Sequence, residues 1–285
     1  MTDDIRQQAI ALYDRFTHEG MPRRDFMTRM VALAGSAAAA EALIAGIAAS
    51  PAAAAVVPAS DKRLTTAMRV IDGIRAYVAE PRSRSLKPTV LVIHENRGLN
   101  EHTRDVARRL ALAGYRAVAP DFLTPAGGTP ADEDRARELI GKLDLGQATA
   151  FGVAMVRTLK ATSRGGKVGA VGFCWGGAYV NRLAVAAGTD LGAGVAYYGP
   201  APNPSEAAKV RSPMLLHYAG LDERVNASGK PWVAALQAAR KPVESFTYEG
   251  VNHAFNNDTS AERYNKPAAD LAWSRTLAFF KQHLG

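Results

Sequence analysis

Three residues have types and surroundings suited to nucleophilic catalysis. The only cysteine, Cys174, sits in Gly172-Phe173-Cys174-Trp175-Gly176-Gly177. The run Lys167-Val168-Gly169-Ala170-Val171 before it reads as a buried strand, and Ala178 to Ala184 after it reads as a helix. A nucleophile held between strand and helix occupies a strained turn, which small neighbours permit. The helix N-terminus then points at the sulfur and favours a thiolate or a developing oxyanion. Such a nucleophile needs a base, and the base needs an orienting acid. Asp222, in Ala219-Gly220-Leu221-Asp222-Glu223-Arg224-Val225, follows a strand-like run, and so does His253, in Gly250-Val251-Asn252-His253-Ala254-Phe255. Glu223 is the alternative acid. Taken singly, Cys174 reads as a small buried hydrophobe, Asp222 as a turn or cap residue, and His253 as a core or surface histidine. Together they follow the chain order nucleophile, acid, histidine, each after its own strand.

The remaining histidines fit a base less well. His18 lies in the N-terminal tail, His283 at the C-terminus, His102 at a helix start and His217 within a strand. His94 ends a strand at the same edge as the triad and is a candidate pocket residue.

From about residue 68 onward, strands alternate with helices. Met68 to Ala79 reads as a strand pair turning at Asp72-Gly73, and Thr89 to His94 as a continuous apolar run typical of a central parallel strand. Arg116–Ala119, Gly194–Tyr198, Met214–Tyr218 and Ser245–Tyr248 read as further strands. Glu101–Ala113, Ala131–Leu143, Ala148–Lys160, Trp232–Ala239 and Ala268–Leu284 carry helical spacing. This alternation predicts an α/β fold, a mostly parallel sheet with helices on both faces, whose site lies at the carboxyl ends of the strands.

The chain has 285 residues and a net charge of +8. Basic and acidic residues are interleaved, as in Arg104-Asp105-Val106-Ala107-Arg108-Arg109, which argues for a solvated surface and against a nucleic-acid footprint. One cysteine excludes an internal disulfide, and no Cys/His cluster has metal-ligand spacing in the sequence, so no metal or organic cofactor is expected.

Residues 1–60 read as a separate extension and 61–285 as the catalytic domain. Residues 1–20 suggest an amphipathic helix with Ile5, Ala9, Leu12 and Phe16 on one face. Arg23-Arg24, followed by Phe26 and an Ala-rich stretch from Met30 to Ala49, resembles a twin-arginine export signal, with small-residue cleavage sites at Ala52–Ala55 and Val57–Ser60. That reading places the protein in the periplasm or outside the cell. The alternative is a cytoplasmic protein with a retained helical arm. Glu41 interrupts the apolar stretch and argues against a stable membrane anchor. Pro51 and Pro58 mark residues 50–60 as a linker.

His94-Glu95-Asn96-Arg97-Gly98, Gly172-Phe173-Cys174-Trp175-Gly176-Gly177, Gly220-Leu221-Asp222 and Asn252-His253-Ala254-Phe255, in that order, resemble the dienelactone hydrolase (carboxymethylenebutenolidase) family over roughly residues 65–285. The resemblance implies an α/β-hydrolase fold and a small ester or lactone cleaved through a cysteine acyl-enzyme. It implies that Glu95 faces the resting thiol. In this fold the oxyanion is held by backbone N–H groups, here those of Trp175 and Asn96. His94, Arg97, Asn257 and Arg263 are candidate substrate-binding residues. The chain departs from the family at Asn257, where dienelactone-cleaving members carry an arginine for the substrate carboxylate. Asparagine offers no charged fork, so other esters or lactones are the expected substrates. Two further readings are an inactive member that binds ligands in the inherited cleft, and a thiol redox sensor, which here lacks a resolving cysteine.

Overall fold

A computed structural model describes residues 2–48, 55–83 and 87–285. Its elements in chain order are α1 (Asp3–His18), α2 (Arg23–Ala34), α3 (Ala37–Ile47), β1 (Leu64–Ile71), β2 (Ile74–Pro81), β3 (Thr89–Ile93), α4 (Glu101–Leu112), β4 (Arg116–Pro120), α5 (Glu133–Gly141), α6 (Leu145–Lys160), β5 (Val168–Phe173), α7 (Trp175–Ala186), β6 (Ala193–Tyr197), β7 (Met214–Ala219), α8 (Glu223–Ala238), β8 (Val243–Tyr248) and α9 (Lys266–Leu284).

The eight strands form one sheet in the order β1-β2-β4-β3-β5-β6-β7-β8. β2 runs antiparallel to β1 and β4, and every other pairing is parallel. The central strands β3, β5, β6 and β7 are buried along their whole length, as strands covered on both faces must be. Side chains alternate between two cores. Val90 and Val92 face α4 and α9, while Leu91 and Ile93 face α6, α7 and α8. This is the expected layered architecture, with all loops that carry candidate residues gathered at the carboxyl edge of the parallel strands.

Helix α8 starts nine residues before the expected Trp232. Asp222 caps it, accepting from the backbone N–H of Val225 at 3.2 Å, and its first turns carry polar residues such as Asn226, which is tied to the Ala219 carbonyl at 2.8 Å.

Helices α1 to α3 share a core of their own, built from residues such as Leu12, Tyr13, Phe16, Phe26, Met30 and Ile47. Phe16 stacks on Phe26 at 4.3 Å. The Ala-rich stretch is two helices, because Gly35 closes α2 in a left-handed conformation and Ser36 caps α3. Glu41 is exposed. Among the described residues no single helix is long and apolar enough to cross a membrane. Of the expected cleavage sites Ala52–Ala55 and Val57–Ser60, residues 52–54 lie outside the described residues, as does Pro51 of the linker. Val57 of the linker is buried, its N–H bonded to Asp105 at 2.8 Å and its carbonyl to the buried Arg108 at 2.5 Å.

Candidate active site

β5 ends at Phe173 and α7 begins at Trp175, so Cys174 alone makes the turn, at φ 55° and ψ −114°. This is a left-handed, strained conformation for a residue with a side chain. It is held by the Cys174 N–H donating to the Tyr197 carbonyl at 3.0 Å. The turn closes tightly enough to exclude side chains beside it. A Cβ on Gly172 would stand 2.1 Å from the Gly176 carbonyl oxygen, and one on Gly176 2.3 Å from that of Ile93. The thiol therefore rests at the N-terminus of α7, 5% exposed.

Asp222 follows β7 and His253 follows β8, in loops bonded to each other through the Leu221 N–H and the Val251 carbonyl at 3.0 Å. His253 Nδ1 lies 2.5 Å from Asp222 Oδ2, with both residues buried. Nε2, on the side of the ring opposite the carboxylate, has no hydrogen-bond partner within bonding distance among the described residues. The ligand atoms of Cys174, His253 and His18 all lie within 4.8 Å of one another. Among the described residues this is the only such grouping of donor side chains, and two of its members are the candidate nucleophile and base.

The charges of the site support one another. Burial opposes a charged His253, yet the Asp222 carboxylate and the Cys174 sulfur push it up to about 10. Burial likewise opposes the Asp222 carboxylate, but the adjoining His253 and the Val225 N–H hold it below its usual range. His18 is the opposite case. Burial and then the neighbouring His253 and Arg224 hold it well below the usual imidazole value, so it is a neutral ring.

The other expected residues divide. Glu95 lines the same small cavity as Cys174 and His253. One of its oxygens accepts from Asn257 Nδ2 at 3.3 Å, and the other is buried without a partner among the described residues. Asn257 is thus bonded to Glu95, and its own carbonyl oxygen is taken by Thr259. His94 is a wall element. Its Nδ1–H donates to the Glu95 carbonyl at 2.7 Å, Nε2 accepts from the Phe122 N–H at 3.4 Å, and the ring stacks on Trp175 at 5.2 Å. Arg97 is engaged by Glu133 and the Tyr13 hydroxyl, and Arg263 by Ser260 and Asp14.

Sequence reasoning missed Tyr13, Asp14, Thr17, His18 and Tyr198. Tyr198, directly after β6 at φ 36°, sets its ring 5.0 Å from that of His253. Its place at a strand's carboxyl end was a usable signal. The α1 residues had none, because nothing in their spacing says where that helix docks. The Thr17 carbonyl accepts from Asn96 Nδ2 at 3.4 Å, and the His18 ring meets that of His253 at 4.9 Å.

A doubly covered, mostly parallel sheet, a cysteine on a strained strand-to-helix turn, and an Asp–His pair on later loops are the features of an α/β-hydrolase. The family model of the dienelactone hydrolase family matches residues 74–284, and the chain belongs to that family. Among curated relatives, a "Putative carboxymethylenebutenolidase" of Escherichia coli O157:H7 is 32% identical over 258 residues, covering 84% of this chain and 94% of the relative. A protein of the same name from Saccharolobus solfataricus is 32% identical over 246 residues, covering 73% and 94%. Among solved structures, a "Putative Dienelactone Hydrolase" from Klebsiella pneumoniae aligns with TM-score 0.70 at 29% identity, over 77% of this chain and 99% of that one. Carboxyl esterase 2 of Tuber melanosporum shares the fold, with TM-score 0.63 at 14% identity over 81% and 89%.

Proposed function

We propose that the protein is a cysteine-dependent hydrolase of small carboxylic esters or lactones, working through Cys174, His253 and Asp222. The observation that carries this reading is the line Asp222–His253–Cys174. A carboxylate lies 2.5 Å from one imidazole nitrogen, and the same ring presents a nitrogen within 4.8 Å of a thiol on a strained turn.

The His253 imidazolium stabilises the Cys174 thiolate, which attacks the carbonyl carbon. The oxyanion develops toward the backbone N–H groups of Trp175, the first residue of α7, and of Asn96, which donates to no backbone carbonyl among the described residues. The imidazolium then gives its proton to the departing alkoxide, leaving a thioester and a neutral His253. In that form His253 takes a proton from water, the hydroxide attacks the thioester, and the acid product leaves as the thiolate reforms. Asp222 keeps the ring in one orientation and steadies each imidazolium stage. Support for ester or lactone substrates comes from the family and from the names of the relatives. The occupation of Asn257 by Glu95 and Thr259 leaves no charged fork at that position, so the reading extends to esters and lactones in general.

The test is hydrolysis of p-nitrophenyl acetate and of small lactones by wild type and by Cys174→Ala. The variant should be inactive with an unchanged melting curve. Full activity in Cys174→Ala would overturn the assignment.

A further inference from the structure

We infer that the C-terminal end of α1 is a wall of the substrate site, in which Thr17 and His18 set the size of the group that can lie against Cys174. The inference deepens the ester or lactone reading and rests on it.

Thr17 and His18 line two separate spaces at the thiol. On the side of Glu95, Arg97, His253 and Arg263 the space is 20 Å³, room for about one water. On the side of Trp175, Ala178 and Pro200 it is 250 Å³, smaller than the ~300–1,000 Å³ usual for ligand pockets. α1 therefore fills one half of the cleft and leaves the other half small. The filled half holds the two arginines expected to meet substrate, and α1 has engaged both, Arg97 through Tyr13 and Arg263 through Asp14.

The wall is built to shift as a body. α1 to α3 keep a core among themselves. Their ties to the rest of the chain include discrete polar contacts, such as Arg6 to Glu262 at 3.6 Å and the Ser260 hydroxyl to the Ile47 carbonyl at 2.6 Å. Grooves of 500 and 520 Å³ flank the seam. Tilting the three helices outward would join the two spaces at Cys174 and leave intact the core that the three helices share.

The experiment compares full-length wild type, His18→Ala and the double variant Gly46→Cys/Glu262→Cys. A Cβ on Gly46 would lie 2.9 Å from Glu262 Cγ, within disulfide reach, so oxidation pins α3 to the body. Two ratios are read. One is kcat/KM for p-nitrophenyl octanoate over acetate. The other is the alkylation rate of Cys174, followed by peptide mass, for fluorescein maleimide over iodoacetamide. His18→Ala should raise both ratios about tenfold or more, the scale on which a pocket discriminates by bulk. The oxidised pin should lower both, and reductant should restore them. Ester turnover with both ratios unmoved in both variants overturns the wall and leaves the hydrolase reading standing. Labelling ratios that move without ester turnover in any form uphold the wall and overturn the hydrolase reading.

Discussion

Replacing Asp222 by asparagine tests the chemistry at its most buried contact. Asparagine is a good helix cap, so the bond to the Val225 N–H at the start of α8 survives and the fold is preserved. What is lost is the negative charge 2.5 Å from His253 Nδ1. Raising an imidazole from 6.5 to about 10 corresponds to roughly 5 kcal/mol in favour of the charged form. Asp222 precedes Cys174 among the causes of that rise, so its loss forfeits about half or more, roughly 2 to 3 kcal/mol or about a hundredfold in the imidazolium stages. The amide also lets the ring adopt the other tautomer, and the corresponding swap in a serine triad costs about ten-thousandfold in kcat. The kcat for p-nitrophenyl acetate in Asp222→Asn should therefore fall by about a hundredfold to ten-thousandfold, with alkylation of Cys174 slowed at neutral pH because the imidazolium partner is weakened. Activity within threefold of wild type would show that Asp222 is only a helix cap and that another group orients the base.

Three further predictions concern stability. Gly172→Ala should destabilise by about 3 kcal/mol or more, because its Cβ would stand 2.1 Å from a backbone oxygen that cannot move without breaking the turn; urea unfolding measures this. Trp232→Ala, at a fully buried position between α8 and the sheet, should cost about 3 to 5 kcal/mol by the same assay. His253 has a folded value raised to about 10 from 6.5. Its contribution to stability is therefore complete below pH 6.5 and is lost as pH rises toward 10, since the folded state holds the proton longer. The melting temperature of wild type should fall across that window, and His253→Gln should flatten the fall. An equal slope in both would deny the raised value.

The meeting of Cys174, Asp222 and His253 was legible because each sits just past an apolar run, and a parallel sheet delivers such positions to one edge whatever the intervening helices do. The elbow was legible for a related reason: Gly172 and Gly176 meet backbone, and that requirement survives in the sequence as small residues around Cys174. The start of α8 was not legible, since its first two turns bury only Val225 and Gly229 among polar residues that stay exposed or half-buried, so the apolar period begins only near Trp232. The break at Gly35-Ser36 was written in ordinary capping residues but masked by the alanines on both sides. Least legible was the partner of α1. The spacing of Ala9, Leu12 and Phe16 announces a buried face, and burial occurs there, yet periodicity does not say which surface receives it. For the same reason Arg97 and Arg263 read as free substrate ligands, although Tyr13 and Asp14 already hold them.

That docking gives the N-terminal segment a chemical consequence that can be followed in the native host. A cut at the small-residue sites between α3 and β1 would remove Tyr13, Asp14, Thr17 and His18 from the cleft together. Arg97 would lose the Tyr13 hydroxyl but keep Glu133, Arg263 would lose the Asp14 carboxylate and open toward Cys174, and the 20 Å³ space would become continuous with bulk water. A processed form should therefore accept longer acyl chains than the full chain, and it should gain affinity for esters bearing a carboxylate, because Arg263 without Asp14 is a guanidinium free to bind one. Protein purified from the native host, sorted by intact mass into full-length and processed forms and assayed on acetate, octanoate and hemisuccinate esters, checks this. Identical substrate ratios in the two forms would mean that α1 touches the cleft without governing what enters it.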